Sequence, residues 1–414
     1  MLGRVMTRAE AAPLADSPQS LWRNRDFVLL RAGQGVSVVG SGVSGLAFPL
    51  FVLAITHSTI AAGLVGFFAG APRLLFTLPA GVLVDRWDRK RTMMLCDTGR
   101  ALALGSIALT LYLGVLPIAQ LAIVAFVEGS LAVVFGLAES ASIPRVVPPS
   151  QLTEAASVNQ ASGQAASVVG PPLGGYLYGV SHILPFTADA VSYALSVFSL
   201  LFITTPLQGE RGRSGQKLRT EVVEGVQWAW HHPFIRVSVF LVGGSNFLSS
   251  AASLAVIVLA RHLQATPPTI GLIFTISSLG GLLGSILAGR ARRYLKLRWV
   301  MTGMLWGFAL LFPLYALAPT VLVVGLIGAL MAAMGVTWNV VAIGYISGLI
   351  PDALQGRVRA AMQLVSGGLI PLGPLVAGVM LQSAGLNATF LVFGALAGIL
   401  ALVATVSRAV REVT

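Results

Sequence analysis

Long apolar stretches separated by short polar breaks run through the whole of this chain. A helix that crosses a bilayer needs about 20 consecutive, mostly apolar residues. Twelve stretches meet this requirement, and they predict membrane spans at about residues 27–55, 60–83, 92–114, 117–139, 155–179, 183–204, 234–260, 268–289, 299–318, 320–345, 358–384 and 387–408. Because these spans take up most of the 414 residues, the pattern predicts an all-α membrane protein with twelve transmembrane helices.

The longest polar break, residues 205–233, divides the spans into two groups of six. Its second part mixes valine and tryptophan with polar residues, a pattern typical of an amphipathic helix that lies at the membrane surface. The predicted organisation is an amino-terminal tail (1–26), a six-helix bundle (27–204), a central loop with an amphipathic helix (205–233), a second six-helix bundle (234–408) and a carboxy-terminal tail (409–414).

An internal repeat supports two related halves. A shift of 203 positions superposes Pro148 on Pro351, Gln160 on Gln363, Gly170 on Gly373, Pro171 on Pro374 and Gly175 on Gly378. A shift of 208 positions places Gly63 on Gly271 and Gly81 on Gly289. Parallel repeats of this kind are typical of transporters that alternate access around a central cavity.

Composition agrees with a membrane protein, because 56% of the residues are hydrophobic and the mean hydropathy is +0.84. The net charge of +12 does not indicate a nucleic-acid partner, since the basic residues follow the loops rather than one binding face. When the termini and alternate loops are assigned to one side, 23 of the 27 Lys and Arg residues lie there and only Arg261 lies in an opposite loop. This asymmetry predicts that both termini are cytoplasmic.

Two motifs stand out among the apolar segments. The first is a charged loop between spans two and three, formed by Gly81, Asp85, Arg86, Asp88, Arg89, Lys90 and Arg91. The second is a string of small residues and prolines in span five, formed by Gly163, Gly170, Pro171, Pro172, Leu173, Gly174 and Gly175. Glycines allow helices to approach closely and prolines interrupt the backbone hydrogen bonds, so this helix is predicted to pack tightly and to bend.

With these motifs the chain resembles the major facilitator superfamily, and within it the drug and siderophore exporters grouped with macrolide-efflux proteins and the enterobactin exporter. In the family's loop a glycine precedes the final basic residues, where Asp88 stands in this chain. The span-five string is similar to the family's antiporter motif and therefore favours export. The resemblance also implies that spans one, four, seven and ten line the central cavity.

Ionisable groups are costly inside a bilayer, so each is expected to be functional or paired. Glu128 lies about 11 residues into span four, close to the bilayer midplane. It is a candidate proton carrier, or a counter-charge for a cationic substrate. The alternative is a structural pair with Arg73, which lies near the midplane of span two.

Other charged residues are expected to control the cytoplasmic side. Asp97 and Arg100 are three residues apart on span three, which favours an ion pair or a network with the Asp85 loop over direct contact with a substrate. Glu139 is expected to meet Arg86 or Arg89 and to act as a gate.

Asp85 itself is expected to bind the beginning of span eleven, around 357–361, and to latch the outward-facing state. A helix amino terminus attracts a carboxylate, which is the physical reason for this expectation.

Four further polar residues are candidates for the cavity or its edge. Arg31 lies one turn inside span one and is expected to reach the cytoplasmic surface. Gln34, Asn246 and Asn339, in spans one, seven and ten, are expected either to contact substrate or to hold neighbouring helices together.

The sequence contains no phosphate-binding loop and no hydrolase motif, so we expect neither an enzyme nor a cofactor or metal. The leading hypothesis is a secondary active exporter of amphipathic small molecules across the bacterial cytoplasmic membrane, in exchange for protons and acting as a monomer. A facilitator or uptake symporter of the same fold is the alternative. A receptor or scaffold that does not transport is a third hypothesis, which both motifs disfavour.

Overall fold

The computed structural model describes residues 20–208, 218–351 and 354–412, and helices account for nearly all of them. The helices are α1 (Arg25–Thr56), α2 (Thr59–Arg86), α3 (Arg89–Tyr112), α4 (Ile118–Val146), α5 (Leu152–Val180), α6 (Leu184–Leu201), α7 (Leu218–His231), α8 (Pro233–His262), α9 (Pro267–Tyr294), α10 (Leu297–Ala316), α11 (Val321–Leu349), α12 (Gln355–Gly367), α13 (Leu372–Ser383), α14 (Gly385–Val406) and α15 (Arg408–Arg411). The predicted all-α fold is confirmed.

Helices stand at all twelve predicted span positions. Among the described residues, eleven segments are long and apolar enough to cross a membrane, with α12 and α13 together forming one of them. The predicted fifth span corresponds to α5, which has 29 residues but is more polar, since it carries Asn159, Gln160 and Gln164. Helix α7 occupies the part of the central loop where an amphipathic helix is predicted.

Span eleven differs from the prediction of one continuous helix over 358–384. Helix α12 ends at Gly367 and α13 begins at Leu372, with a turn between them. Pro371 explains the interruption, because proline lacks an N–H group and its ring clashes with the carbonyl four residues earlier, at Gly367.

Helix α8 compensates for the interruption. Asn246 Nδ2 donates a hydrogen bond to the Ser366 carbonyl at 3.2 Å, and Ser250 Oγ donates to the Ile370 carbonyl at 2.9 Å. Backbone groups freed inside a membrane protein need such partners, because lipid offers none.

The two halves repeat each other in how their helices pack. A methyl group added to Gly170 in α5 would lie 2.8 Å from Gly42 Cα in α1, and one added to Gly373 in α13 would lie 2.7 Å from the Ala251 nitrogen in α8. The repeat-related glycines therefore make the same close approach, each to the first helix of its own half.

Two symmetric seams join the halves. In the first, α2 meets α13, and a methyl group on Gly63 would lie 2.5 Å from the Pro374 carbonyl oxygen. In the second, α9 meets α5, and a methyl group on Gly271 would lie 2.5 Å from the Pro171 carbonyl oxygen. The two seams are images of one another under the repeat, which confirms the two-half architecture predicted from the sequence.

Hydrogen bonds cross the seams only toward one end of the described structure. Thr59 Oγ1 donates to the Gly378 carbonyl at 2.7 Å, and Thr275 Oγ1 donates to the Val168 carbonyl at 3.0 Å. Both lie away from the charged loop 81–91. Between described residues, the hydrogen bonds that join the halves therefore all lie toward one end of the interface.

Candidate substrate and proton site

Arg100 of α3 lies at the centre of a buried polar cluster in the first half. Its guanidinium donates to Glu128 Oε1 through Nη2 at 2.6 Å and through Nε at 3.1 Å, and it lies 3.4 Å from Asp97 Oδ1. The same guanidinium stacks over the Tyr193 ring, 3.9 Å from its centroid. The predicted pair of Asp97 and Arg100 is present, and Arg100 is also the partner of Glu128.

Hydroxyl groups extend the cluster to α1 and α6. Tyr193 Oη donates to Glu128 Oε1 at 2.9 Å and lies 2.9 Å from Ser41 Oγ. Ser44 Oγ donates to Asp189 Oδ2 at 2.5 Å. Four helices of the first half, α1, α3, α4 and α6, therefore meet at one polar centre.

Sequence reasoning did not place Tyr193 or Ser41 in the site. The available signal is the spacing of Asp189 and Tyr193, which are four residues apart and therefore share one face of α6. Ser41 and Ser44 are likewise close on α1. These spacings indicate polar helix faces, but they do not show which helix each face meets.

Exposure distinguishes the three carboxyl groups of the cluster. The Asp97 side chain is 0% exposed and Glu128 is 20% exposed, while Asp189 is fully buried. Glu128 is thus the carboxyl group that water, a proton or a substrate reaches most easily.

The charges in the cluster do not balance if every group is ionised. Asp97, Glu128 and Asp189 provide three carboxyl groups, and Arg100 is the single guanidinium among them. Two uncompensated negative charges in a membrane interior would be very unfavourable. The three carboxyl groups therefore form one coupled set around a single positive charge.

Arg73 lies elsewhere, so the alternative pairing of Glu128 with Arg73 is wrong. The Arg73 side chain is exposed, and it makes no hydrogen bond or ion pair within the described part of the chain. On α2, Gly70 packs against Pro371 and Pro72 packs against Gly129 of α4. Helical spacing places Arg73 on the face of α2 between these two contacts.

Arg31 and Glu139 correct two predictions at once. Arg31 is only 5% exposed, so it does not reach the surface. It forms a buried ion pair with Glu139, and its Nη1 donates to Asn159 Oδ1 at 2.6 Å. Glu139 therefore meets neither Arg86 nor Arg89, and the pair ties α1 to α4 and α5 inside one half.

The charged loop is anchored through its basic residues. Arg89 Nη1 donates to the Ala141 carbonyl at 2.7 Å, and Lys90 Nζ donates to the Ile203 carbonyl at 2.7 Å. Cations favour such positions near helix carboxyl ends. Asp88 begins α3, because its side chain accepts from the Arg91 backbone N–H at 2.8 Å.

Asp85 makes no side-chain hydrogen bond or ion pair with any described residue. It is exposed, as are Arg86 and Arg91. A methyl group on Gly81 would contact nothing within 4 Å. The expected contact between Asp85 and the beginning of span eleven is not formed in this structure.

The three amides have different surroundings. Asn246 binds the interrupted span eleven, as described above, and thus connects helices. Asn339 is exposed on α11. Gln34 is half-buried, and its Oε1 has no hydrogen-bond partner within the described residues. Because this oxygen is buried, the structure does not show Gln34 presenting an acceptor to a ligand.

The span-five string forms the contact among three helices. Gly174 packs against α1, where an added methyl group would lie 2.6 Å from the Val43 carbonyl oxygen, while Gly175 packs against Pro267 of α9. Gly163 has open space beside it. Helix α5 runs without interruption through Pro171 and Pro172, so the string acts as a packing surface rather than as a break.

No group of three or more His, Cys, Asp or Glu residues suited to a metal ion occurs in the parts of the chain that the structure describes. The polar cluster around Arg100 consists of carboxyl, guanidinium and hydroxyl groups.

Two related six-helix halves that meet along two symmetric seams are typical of secondary transporters. The family model of the Major Facilitator Superfamily matches residues 32–254 and 239–413, and the chain belongs to this family. It is therefore a multi-pass membrane protein.

Several named relatives are efflux proteins. The chain is 27% identical to the multidrug efflux pump Tap of Mycolicibacterium fortuitum over 93% of this chain and 95% of that protein. It is 23% identical to macrolide efflux protein A of Streptococcus pyogenes over 93% and 96%. The fold is similar to a crystal structure of a bacterial homologue of the human lysosomal transporter Spinster, in an inward-facing and unoccupied conformation, with a TM-score of 0.76, 12% identity and coverage of 96% and 98%.

Proposed function

We propose that this transporter is a secondary active exporter, which moves amphipathic small molecules out across the bacterial cytoplasmic membrane in exchange for protons. The observation that carries this proposal is the position of Glu128: it shares the single guanidinium of Arg100 with Asp97 and is the most exposed carboxyl group of the cluster. The names of the efflux relatives support export as the direction.

The geometry suggests how one site couples protons to substrate. When Glu128 carries a proton, Arg100 keeps Asp97 as its charged partner. When Glu128 loses the proton, it gains a negative charge at the edge of the cleft, and a cationic or hydrogen-bonding substrate can bind there. Proton and substrate then exclude one another, which is the requirement for exchange.

The closed seams fit the loading step of this cycle. With both termini on the cytoplasmic side, as the distribution of basic residues predicts, the seam at Thr59 and Gly378 lies on the outer side. The cleft then opens toward the cytoplasm, where an exporter takes up its substrate. Opening of the seams would deliver the substrate outside.

The test is Glu128→Gln, whose amide imitates the protonated carboxyl group. The purified protein is reconstituted in liposomes, a pH gradient is imposed, and accumulation of radiolabelled erythromycin is measured. Wild type should concentrate erythromycin against its gradient, whereas Glu128→Gln should lose at least about 90% of this accumulation but keep passive exchange of labelled for unlabelled drug. The exposed Glu154, altered to Gln, is the matched control and should behave as wild type.

Two results would contradict the proposal. If Glu128→Gln still concentrates erythromycin with the pH gradient as the only energy source, the proton carrier lies elsewhere, and Asp97 or Asp189 is tested next. If wild type moves the drug in the same direction as the protons, the chain is an uptake symporter. If erythromycin is not transported, another substrate is needed for this assay. Cells that express the protein are then tested for resistance to a panel of macrolides and other drugs, and a drug to which they are resistant replaces erythromycin.

A further inference from the structure

A cavity lies at the end of the second half that carries the loop between α9 and α10. It is separate from the buried polar cluster around Arg100. Its volume is about 590 Å³. Its polar wall is formed by Arg293, Tyr294 and Lys296, and its apolar wall includes Leu297, Val341 and Leu349. The cavity thus has a cationic side and an apolar side.

Basic residues far outnumber acidic ones in the part of the sequence that forms this cavity. Residues 225–351 contain no Asp or Glu and seven basic residues, namely Arg236, Arg261, Arg290, Arg292, Arg293, Lys296 and Arg298. Arg293 and Lys296 are exposed and make no ion pair within the described residues. Two exposed cations on one wall make this cavity attractive to an anion.

The internal repeat makes the contrast clear. The shift of 208 positions places Asp85 on Arg293 and Asp88 on Lys296. Both acidic positions of the first half's loop are thus basic in the second half. The first loop supplies its own negative charges, whereas the second loop has kept only positive ones.

Aromatic residues place the cavity at the level of lipid headgroups. Tyr294 is 82% exposed and Trp299 is 59% exposed, and both types prefer the boundary between hydrocarbon and water. Lipid phosphates lie at the same level. Basic pockets between membrane helices on the cytoplasmic side bind anionic headgroups in the same way.

We propose that this cavity binds an anionic phospholipid, with its phosphate between Arg293 and Lys296 and an acyl chain along Leu297, Val341 and Leu349. The phosphate supplies the missing negative charge, and the apolar wall accounts for a lipid rather than a small water-soluble anion. The inference does not depend on the substrate or the direction of transport.

The test measures lipid binding to the full-length protein in mild detergent by native mass spectrometry. Phosphatidylglycerol and phosphatidylcholine with identical acyl chains are titrated separately. Wild type should bind one phosphatidylglycerol molecule at least about tenfold more tightly than phosphatidylcholine. The double variant Arg293→Gln/Lys296→Gln should lose about tenfold in affinity for phosphatidylglycerol, with no change for phosphatidylcholine.

Two control variants separate the cavity from general surface charge and from misfolding. Arg23→Gln/Arg25→Gln removes the same number of exposed charges from the first half and should keep wild-type binding. Arg293→Lys/Lys296→Arg exchanges the two cations and should keep the preference for phosphatidylglycerol.

The proposal is overturned if wild type binds both lipids equally, or if the two neutralising double variants lose the same affinity. Displacement of phosphatidylglycerol by millimolar inorganic phosphate would also overturn it, because the cavity would then recognise a free anion rather than a lipid.

Discussion

Arg31 and Glu139 form an ion pair that is buried in the first half, where neither charge has water to replace its partner. Removing one member of such a pair leaves the other charge uncompensated and costs about 3–5 kcal/mol. Glu139→Gln should therefore lower the free energy of unfolding by about 3 kcal/mol. The midpoint of thermal unfolding in detergent measures this effect, with exposed Glu154→Gln as the control.

The double variant Arg31→Met/Glu139→Leu decides whether the cost comes from the unpaired charge. Replacing both charges by apolar groups of similar size is often neutral, so the double variant should recover most of the lost stability. If Glu139→Gln unfolds at the same midpoint temperature as wild type, the ion pair does not stabilise the fold. Glu139 is then again a candidate for the gate.

Sequence predicted how deep the charged residues lie, but not in which direction they point. Glu128 and Arg73 share a depth in the membrane, and this made them plausible partners. The structure leaves the Arg73 side chain exposed, while Arg100 reaches Glu128 from α3. Depth follows from position along an apolar segment, whereas direction depends on how each helix is rotated against its neighbours. The pair of Asp97 and Arg100 could be predicted because both residues lie on one helix, where their relative direction follows from their spacing.

At the scale of single helices, the span-five string offers a direct comparison between two glycines. Gly170 lies against the Gly42 backbone, whereas Gly163 has open space beside it. Gly170→Ala should lower stability by about 1–3 kcal/mol because backbone cannot move aside as a side chain can. Gly163→Ala should be neutral or slightly stabilising, since alanine favours helix.

Thermal unfolding and the yield of folded protein measure both variants. If Gly163→Ala and Gly170→Ala unfold at the same temperature, the prediction is wrong. The close approach of α1 and α5 would then not decide which glycines of the span-five string can be replaced by alanine.

Span eleven shows why an interruption is harder to predict than a span. Pro171 and Pro172 lie inside an unbroken α5, yet Pro371 coincides with the gap between α12 and α13. The difference is that α8 supplies donors, such as Ser250, to the carbonyls that the gap frees. Whether a proline interrupts a helix therefore depends on hydrogen-bond partners from neighbouring helices, and the local sequence does not show which partners are available.

Asp85 is a candidate latch for the state in which the open end closes. In this structure Arg357 of α12 pairs with Glu224 of α7 at 2.6 Å, and Asp85 has no partner among the described side chains. A carboxylate at a helix amino terminus contributes about 1 kcal/mol. Asp85→Asn should therefore slow transport by about fivefold at unchanged protein level.

Asp88→Asn is the matched control, three residues away with the same change in charge. Asparagine begins a helix as well as aspartate does, so α3 and transport should be preserved. Wild-type transport by Asp85→Asn would remove the latch from the mechanism.

At the scale of the whole molecule, the internal repeat predicted more than the individual residues did. Matching glycines and prolines from the two halves form matching seams, with Gly63 on Pro374 and Gly271 on Pro171. The sequence therefore contained the two-half architecture and the identity of the seam helices. The sequence did not predict at which end of the interface the hydrogen bonds between the halves lie. That position depends on the balance between two conformational states of the same protein.

Alternating access requires the seam between α2 and α13 to open during each cycle. Thr59 and Gln382 face each other there, with the Thr59 backbone nitrogen 3.1 Å from Gln382 Oε1; Gln382 is exposed and Thr59 is half-buried. Cysteines at these two positions should form a disulfide under mild oxidation. The disulfide should stop at least about 90% of transport in liposomes, and a reductant should restore it, because the seam is then held closed. The native Cys96 is buried and does not interfere.

The control is a cysteine pair at Ser106 and Gln120, whose side chains are 3.0 Å apart within one half. This disulfide should leave transport intact, because α3 and α4 move together. Full transport with the Thr59–Gln382 disulfide in place would mean that the halves do not separate along this seam, and that substrate leaves by another route.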